Sequence, residues 1–332
     1  MSEIESKIRL DLLLPWEGMR GERGKGGDVK AGDSTIRPVG EALGGDRALL
    51  ATGPAPGDPV ASELVEDLIS RAPDVDGNGA TERRRQSRPT VSVVIPAYNE
   101  ALNLPHVLPK IGAWVDEVIL VDGRSTDRTQ EVAQTLLPEI RIVHEHGPGK
   151  GAALRAGFEA ATGDIIVMLD GDGSTDPCEI PAFVGALVAG ADFVKGTRFA
   201  QGAGTADMTR LRRLGNRGLV NLVRMLFGGR FSDLCYGYIA FWRRVLPDIA
   251  PDCNRFEIET QMNLRALHAG LRVAEVPSFE RMRIHGKSNL RVVPDGWAVL
   301  KTILRERTRR SGGPVAAGKP ELADAESLGS QA

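Results

Sequence analysis

The chain has 332 residues, of which 42% are hydrophobic, 26% are charged and 5% are aromatic. This composition is typical of a soluble globular protein, and the length suits one large domain or two ordinary ones. The formal net charge is −2, so no overall positive field indicates a nucleic-acid partner. The cysteines Cys178, Cys235 and Cys253 form no CxxC pair, which argues against a cysteine zinc site and favours a reducing compartment.

Residues 1–90 contain 13 Gly and 7 Pro, and Trp16 is their only aromatic residue. Their short apolar pieces have no partner long enough to bury them. We therefore predict a largely disordered N-terminal extension. Because the chain shows neither a basic segment leading into an apolar run nor an apolar run of about 20 residues, we expect a cytoplasmic protein.

From Val91 onward, apolar segments alternate with helix-like segments. The pattern predicts strands over 91–96, 117–122, 140–145, 164–170 and 192–197, and helices over 100–112, 126–137, 150–161 and 177–190. This alternation indicates an α/β fold with a mainly parallel sheet and helices on both faces. We expect one domain over 91–310 and a flexible tail over 311–332. Ligands of such sheets bind at the carboxyl ends of the strands, so the residues after each strand are candidates.

Three of these strand-end loops carry carboxylates, namely Glu100, Asp122, and Asp170 with Asp172. Carboxylates on either side of Gly171 can turn toward one hard cation, and Mg²⁺ or Mn²⁺ would accept them together with phosphate oxygens. Such a cation would stabilise the negative charge that develops on a diphosphate as a bond breaks. The stretch Asp170-Gly171-Asp172-Gly173-Ser174 would also suit a simple turn, because all five residues are turn formers.

The stretches VSVVIPAYNE, LVDGRSTDRT and GKGAALRAGFEAATGDIIVMLDGDGS resemble, in this order, the family 2 glycosyltransferases of the GT-A fold. Within that family they look closest to the dolichyl-phosphate mannose synthase branch. The resemblance runs over about 91–304 and implies a nucleotide-sugar and metal half at 91–200 and an acceptor half at 201–310. It implies metal binding by Asp170 and Asp172, and donor contacts from Pro96, Ala97, Tyr98, Glu100, Asp122 and Gly171.

The second loop departs from the family pattern. Many relatives have Asp-Asp-Gly-Ser where this chain has Asp122-Gly123-Arg124-Ser125. The first aspartate is kept, so the expected nucleoside contact stands. The base of the donor is left open at this point.

Basic residues provide the candidate phosphate contacts. Lys150, in the turn before the helix at 150–161, could bind an anion together with the helix N-terminus, although a glycine-rich helix start explains this turn equally well. Residues 195–310 contain 22 Lys or Arg and 10 Asp or Glu, which indicates an anion-handling surface in this half. Arginine and lysine side chains bind phosphate groups well. We predict phosphate contacts from Arg198, Arg212, Arg213, Arg283 and Lys287.

Two basic amphipathic segments, 214–227 and 297–310, suit either an anionic membrane surface or packing on the core of the protein. A hydroxyl acceptor needs a general base. Asp233 is the first candidate for that base and Glu259 the second. A lipid phosphate is already anionic and needs no strong base.

The resemblance implies a metal-dependent, inverting glycosyltransferase. The favoured reaction moves a hexose from GDP-mannose, or alternatively UDP-glucose, to a polyprenyl or dolichyl phosphate, with peripheral contact at the inner face of the membrane. One alternative is transfer to the hydroxyl of a soluble small molecule. Others are a non-catalytic nucleotide-sugar-binding protein and a nucleotidyltransferase, which would release pyrophosphate.

Overall fold

The computed structural model describes residues 37–38, 88–288 and 290–309. Most of the extension and all of the tail predicted from the sequence lie outside these residues. Within the described part, the strands are β1 (Arg37–Pro38), β2 (Val91–Ala97), β3 (Glu117–Asp122), β4 (Arg141–His144), β5 (Ile165–Met168), β6 (Phe193–Thr197), β7 (Gly204–Thr205), β8 (Ile239–Trp242), β9 (Val273–Pro277) and β10 (Phe279–Glu280).

Eight of these strands form one sheet in the order β1-β9-β6-β8-β5-β2-β3-β4. All neighbouring pairs are parallel except those of β8, which runs antiparallel to both β5 and β6. The short strands β7 and β10 pair with each other in a separate two-stranded sheet. The mainly parallel sheet predicted from the apolar runs is therefore confirmed.

The helices connect and cover the strands. They are α1 (Leu104–Val107), α2 (Thr129–Leu136), α3 (Lys150–Ala160), α4 (Ile180–Val188), α5 (Arg210–Phe227), α6 (Leu246–Ile249), α7 (Glu257–His268) and α8 (Val292–Thr308). The helix predicted over 100–112 is much shorter than expected. Pro105 and Pro109 are each the second residue of a separate short helical piece, because proline lacks an N–H donor and its ring excludes a preceding helical turn.

The two faces of the sheet carry separate hydrophobic clusters. Along β2, Val93 and Ile95 pack into one cluster with Phe183 of α4. The intervening Val94 packs into the other cluster with Leu154 of α3. This alternation follows from the two-residue period of a strand and confirms that helices cover both faces. Among the described helices, none is both long enough and apolar enough to span a bilayer.

A buried ion pair joins α7 to α8. Glu306 is 1% exposed, and its carboxylate accepts hydrogen bonds from Arg265 Nε at 3.1 Å and Gln261 Nε2 at 2.8 Å. Burial alone would raise the pKa of Glu306, but the hydrogen bonds from Arg265 and Gln261 lower it below its ordinary value. The pair therefore stabilises the folded state above the unfolded-state pKa, and the stabilisation is lost as pH falls through the folded-state pKa.

We expect the thermal midpoint of the wild-type protein to fall more steeply below about pH 5 than that of the Glu306→Gln variant, so that the two curves converge in acid. The exposed Glu139 provides the matched control, and Glu139→Gln should follow the wild-type curve. Thermal unfolding between pH 3 and pH 7 measures both. Parallel curves for wild type and Glu306→Gln would contradict the assignment.

Candidate active site

A cavity of about 990 Å³ opens at the carboxyl ends of β2, β3 and β5. These strands lie side by side in the sheet, so the loops that follow them meet at one edge. Most of the residues predicted from the sequence line this cavity, namely Pro96, Ala97, Tyr98, Glu100, Lys150, Asp170, Gly171, Asp172, Arg212, Glu259 and Arg283.

Lys150 connects two of the cavity carboxylates. Its Nζ lies 2.6 Å from Asp170 Oδ1 and 2.7 Å from Glu259 Oε1. Although burial opposes the shift, these carboxylates raise the pKa of Lys150 above its ordinary value, so the amine is charged. Burial raises the pKa of Asp170 to about 6, with Lys150 opposing the rise and Asp172 adding to it.

Asp172 is oriented by its own loop. Its Oδ1 accepts hydrogen bonds from Ser174 N at 2.9 Å and Ser174 Oγ at 2.6 Å, while its Oδ2 lies 2.8 Å from Arg283 Nη2. Arg283 also donates from Nη1 to Glu100 Oε1 at 2.9 Å. Within the part of the chain that the structure describes, Arg283 Nε is buried without a hydrogen-bond partner, which leaves one donor for a ligand.

The donor set fits a divalent cation that is shared with a substrate. Gly171 between the two aspartates is closely packed, because an added Cβ would lie 3.2 Å from Ile95 Cγ2. Over the described ranges, no group of three or more His, Cys, Asp or Glu side chains forms a metal cage. Mg²⁺ commonly binds one or two carboxylates and completes its shell with water and substrate phosphates. Asp170 and Asp172 would be the protein ligands in such an arrangement.

The loops after β2 and β3 hold each other in place. Asn99 donates its backbone N–H to Ser125 Oγ at 2.9 Å, and its side-chain Oδ1 accepts from Thr126 N at 2.8 Å. Asp122 is buried and outside the cavity lining. Its carboxylate accepts from Gln130 Nε2 at 2.9 Å and from Ser125 N. This placement conflicts with the predicted direct nucleoside contact, because Ser125 of the loop and Gln130 of α2 already occupy the carboxylate.

The N-terminus of α3 is closed by protein. The backbone N–H groups of Gly151 and Ala152 both donate to Asn254 O, at 2.8 Å and 3.2 Å. These two backbone donors are used by a carbonyl from a distant segment, which conflicts with their part in the predicted anion site at this helix end. The side chain of Lys150 still reaches the cavity.

Gly151 is required by this closure, since an added Cβ would overlap Cys253 O and Asn254 C. We expect Gly151→Ala to lower the free energy of unfolding by about 1–3 kcal/mol, the usual effect of overpacking. The control is Gly218→Ala on α5, where a Cβ meets no atom within 4 Å among the described residues and the change should stabilise by about 0.5–1 kcal/mol. Urea unfolding measures both variants, and equal effects would contradict the closure.

Arg198 and Asp233 lie in the interior, outside the cavity lining. Arg198 Nε and Nη2 donate to the Asp233 carboxylate at 2.6 Å and 3.0 Å, and Nη1 donates to Glu280 Oε1 at 2.9 Å. Burial would raise the pKa of Asp233, but Lys195 and Arg198 lower it below its ordinary value. These contacts conflict with the predicted phosphate contact of Arg198 and with Asp233 as a catalytic base, because neither group reaches the cavity.

Two further predicted contacts also lie outside the lining. Arg213 is exposed, and its guanidinium carbon is 5.9 Å from the Phe199 ring centroid. Lys287 is exposed as well. Both belong to segments that neighbour the cavity through Arg212 and Gly286, and their phosphate contacts remain predictions.

The structure adds lining residues that the sequence did not indicate. They come from the segment before α7, from the loop before β8, and from the ends of β4 and α8, and include Glu145, Tyr236, Arg255, Phe256, Arg291 and Asp295. Tyr236 is fixed by a hydrogen bond of 2.8 Å between its hydroxyl and Ser278 Oγ. Arg255 and Phe256 lie shortly before Glu259 in the chain, and this proximity to a candidate base is the only sequence signal for them.

Comparison with known proteins identifies the family of this chain. The chain matches the family model of glycosyl transferase family 2 over residues 92–249. Glycosyltransferase AglJ of Haloferax volcanii is 34% identical over 221 residues, which are 65% of this chain and 71% of that protein. Polyprenol monophosphomannose synthase of Mycolicibacterium smegmatis is 34% identical over 215 residues, which are 60% of this chain and 81% of that protein.

A solved structure shows the same fold. Glucosyl-3-phosphoglycerate synthase from Mycobacterium tuberculosis, in complex with Mn²⁺, uridine diphosphate and phosphoglyceric acid, superposes with a TM-score of 0.54 and 26% identity, covering 68% of this chain and 81% of that one. The chain therefore belongs to glycosyltransferase family 2, and it is a glycosyltransferase with a GT-A fold. The alternatives of a non-catalytic binding protein and a nucleotidyltransferase lose their support.

Proposed function

We propose that this glycosyltransferase transfers a hexose from a nucleoside diphosphate sugar, with GDP-mannose favoured, to the phosphate of a polyprenyl lipid. The observation that carries this proposal is that acidic and basic side chains lie together in one cavity. Asp170 and Asp172 lie within 3 Å of Lys150 and Arg283, respectively. Carboxylates suit a divalent cation and the basic head groups suit phosphate oxygens, which are the two needs of a diphosphate leaving group.

In this reaction an acceptor oxygen attacks the anomeric carbon opposite the diphosphate, the bond from that carbon to the diphosphate oxygen breaks, and the configuration inverts. Lys150 and Arg283 would hold the diphosphate oxygens and orient the leaving group along the line of attack. A Mg²⁺ or Mn²⁺ ion on Asp170 and Asp172 would neutralise charge on the departing nucleoside diphosphate.

The state of the predicted bases supports a phosphate acceptor. Asp233 is fully buried and held by Arg198, and Glu259 accepts from Lys150 at 2.7 Å. A lipid phosphate is already anionic near pH 7, so it requires no base. The mycobacterial relative is a polyprenol monophosphomannose synthase, which points to the same class of acceptor.

The surface beside the cavity supports peripheral contact with a membrane. Met282 lines the cavity and is 63% exposed, and Leu211, next to the cavity residue Arg212, is 62% exposed. Trp297 on α8 is 57% exposed. Exposed apolar side chains among arginines suit the interface of an anionic bilayer, and this arrangement would place the cavity mouth next to the lipid phosphate.

Transfer to a soluble hydroxyl is the second candidate. The observation in its favour is the fold similarity to glucosyl-3-phosphoglycerate synthase, which was crystallised with phosphoglyceric acid. Glu259 would then be the base, because it lines the cavity whereas Asp233 does not.

The two candidates are separated by incubating the purified full chain with Mg²⁺ and labelled GDP-mannose or UDP-glucose. The acceptor is either polyprenyl phosphate in anionic vesicles or soluble 3-phosphoglycerate. We expect organic-extractable label and release of nucleoside diphosphate with the lipid acceptor, and no transfer in vesicles without polyprenyl phosphate. Label that stays in the aqueous phase as a new glycoside would refute the lipid acceptor and favour the second candidate.

A further inference from the structure

Arg124 has an unfavourable backbone conformation at the cavity wall. Its φ is 68°, and within the described ranges only Asn99 (φ 57°) and Ala250 (φ 22°) are other non-glycine residues with positive φ. The left-handed region is disfavoured for residues that carry a Cβ, and it is maintained where the surrounding structure or the function requires it.

Asn99 is explained by its own side chain, whereas Arg124 is not. Asn99 Oδ1 accepts a hydrogen bond from Thr126 N at 2.8 Å, and asparagine tolerates this conformation. Among the described residues, Arg124 makes no side-chain hydrogen bond or ion pair that would offset the strain. Arg124 is exposed and lines the cavity together with Tyr98 and Gly123. A strained residue that presents a long cationic side chain to a binding cavity points to a ligand contact.

The order of the strands indicates which part of the ligand Arg124 would meet. Asp170 follows β5 and Arg124 follows β3, with β2 between these strands. Two strand spacings separate the loops by about 10 Å. The nucleoside of a donor whose diphosphate lies at Asp170 and Asp172 could span this distance and reach the β3 loop, which lines the same cavity. Since Asp122 of that loop is engaged by Gln130, Arg124 is the charged residue of the loop that lines the cavity.

We propose that Arg124 reads the base of the donor nucleotide and selects guanine over uracil. The planar guanidinium can donate two parallel hydrogen bonds to the O6 and N7 acceptors of guanine. Uracil has carbonyl acceptors but no N7 beside them, so it cannot accept this paired contact. The inference rests on the proposed function in that the donor diphosphate lies at Asp170 and Asp172, and it names the nucleotide class of that site.

Calorimetric binding of GDP and of UDP to the full-length protein in Mg²⁺ tests this inference. We expect wild type to prefer GDP, and Arg124→Gln to weaken GDP binding roughly tenfold while UDP binding changes little. Arg124→Lys should not restore GDP binding, because lysine lacks the fork. The control is Arg128→Gln, which removes the same charge from an exposed side chain paired with Glu131 and should change neither affinity.

Arg124→Gly provides an independent readout, since glycine adopts this φ without strain. We expect it to lose GDP affinity as Arg124→Gln does, while its thermal midpoint is no lower than that of wild type. Equal weakening of GDP and UDP, a wild-type preference for UDP, or unchanged GDP binding in Arg124→Gln would each overturn the inference.

Failure of the inference can be distinguished from failure of the proposed function, because nucleotide binding needs no acceptor. Loss of guanine selectivity in Arg124→Gln together with an absence of lipid glycosylation would refute the lipid acceptor alone. Lipid glycosylation without a guanine-specific effect of Arg124→Gln would refute the inference alone.

Discussion

Asp172→Asn is expected to lower kcat/KM for sugar transfer by roughly 100-fold or more, the usual effect of removing one group that stabilises charge in a transition state. Asparagine keeps the oxygen that can accept from Ser174 N and Oγ, so the loop should keep its shape. What the substitution removes is the negative charge that would hold a divalent cation against the leaving diphosphate.

The measurement is initial rates of nucleoside diphosphate release over a range of donor and Mg²⁺ concentrations. Asp248→Asn makes the same chemical change at an exposed site on α6 and should leave the rates unchanged. A thermal midpoint close to that of wild type shows that the Asp172→Asn variant is folded. A folded Asp172→Asn variant that retains wild-type turnover would contradict the assigned role.

Arg198→Ala is expected to destabilise the protein by about 3–5 kcal/mol, because it leaves the carboxylates of Asp233 and Glu280 buried without their partner. Arg198 is 4% exposed and bonds both groups. For a domain of this size, such a loss would lower the thermal midpoint by about 10 °C. Asp233 is fully buried and cannot regain water without opening the structure around β6 and the loop before β8, whereas Glu280 borders the cavity.

Arg213→Ala is the matched control, because it removes an arginine of the same predicted set from the exposed face of α5. Its effect should lie within about 0.5 kcal/mol of zero. Thermal and urea unfolding, together with donor binding, measure both variants. If Arg198→Ala were as stable as wild type and instead lost donor affinity, Arg198 would reach the ligand in solution and the original prediction of a phosphate contact would be correct.

The fold and the acidic core of the site could be predicted because their signals are local. A continuous apolar run predicts a buried strand such as 117–122. Parallel strands then bring their carboxyl ends to one edge of the sheet. Asp170 and Asp172 immediately follow a buried strand, so their place in the cavity follows from that rule alone. The family resemblance added the donor class, which the residue pattern by itself did not specify.

Which of the predicted basic residues reach the cavity could not be predicted, because that depends on contacts with residues far away in the chain. Arg198 and Arg212 carry the same side chain, yet one is buried by Asp233 and Glu280 while the other reaches the cavity beside Asp207. Nothing in the residues around either arginine distinguishes them.

The N-terminus of α3 illustrates the same point, because the carbonyl that occupies it belongs to Asn254, about a hundred positions further along the chain. Local pattern therefore identifies which residues are able to bind anions. Only the packing of distant segments decides which of them are available to a ligand.

The most direct test is a crystal structure of the full chain with GDP, or with UDP if that binds more tightly, and Mn²⁺. We predict that the cation binds Asp170 and Asp172 directly, that Arg283 or Lys150 contacts the diphosphate, and that the base lies against the β3 loop. A structure in which the nucleotide is bound elsewhere, while Asp170 and Asp172 keep their pairs with Lys150 and Arg283, would contradict the proposed donor site.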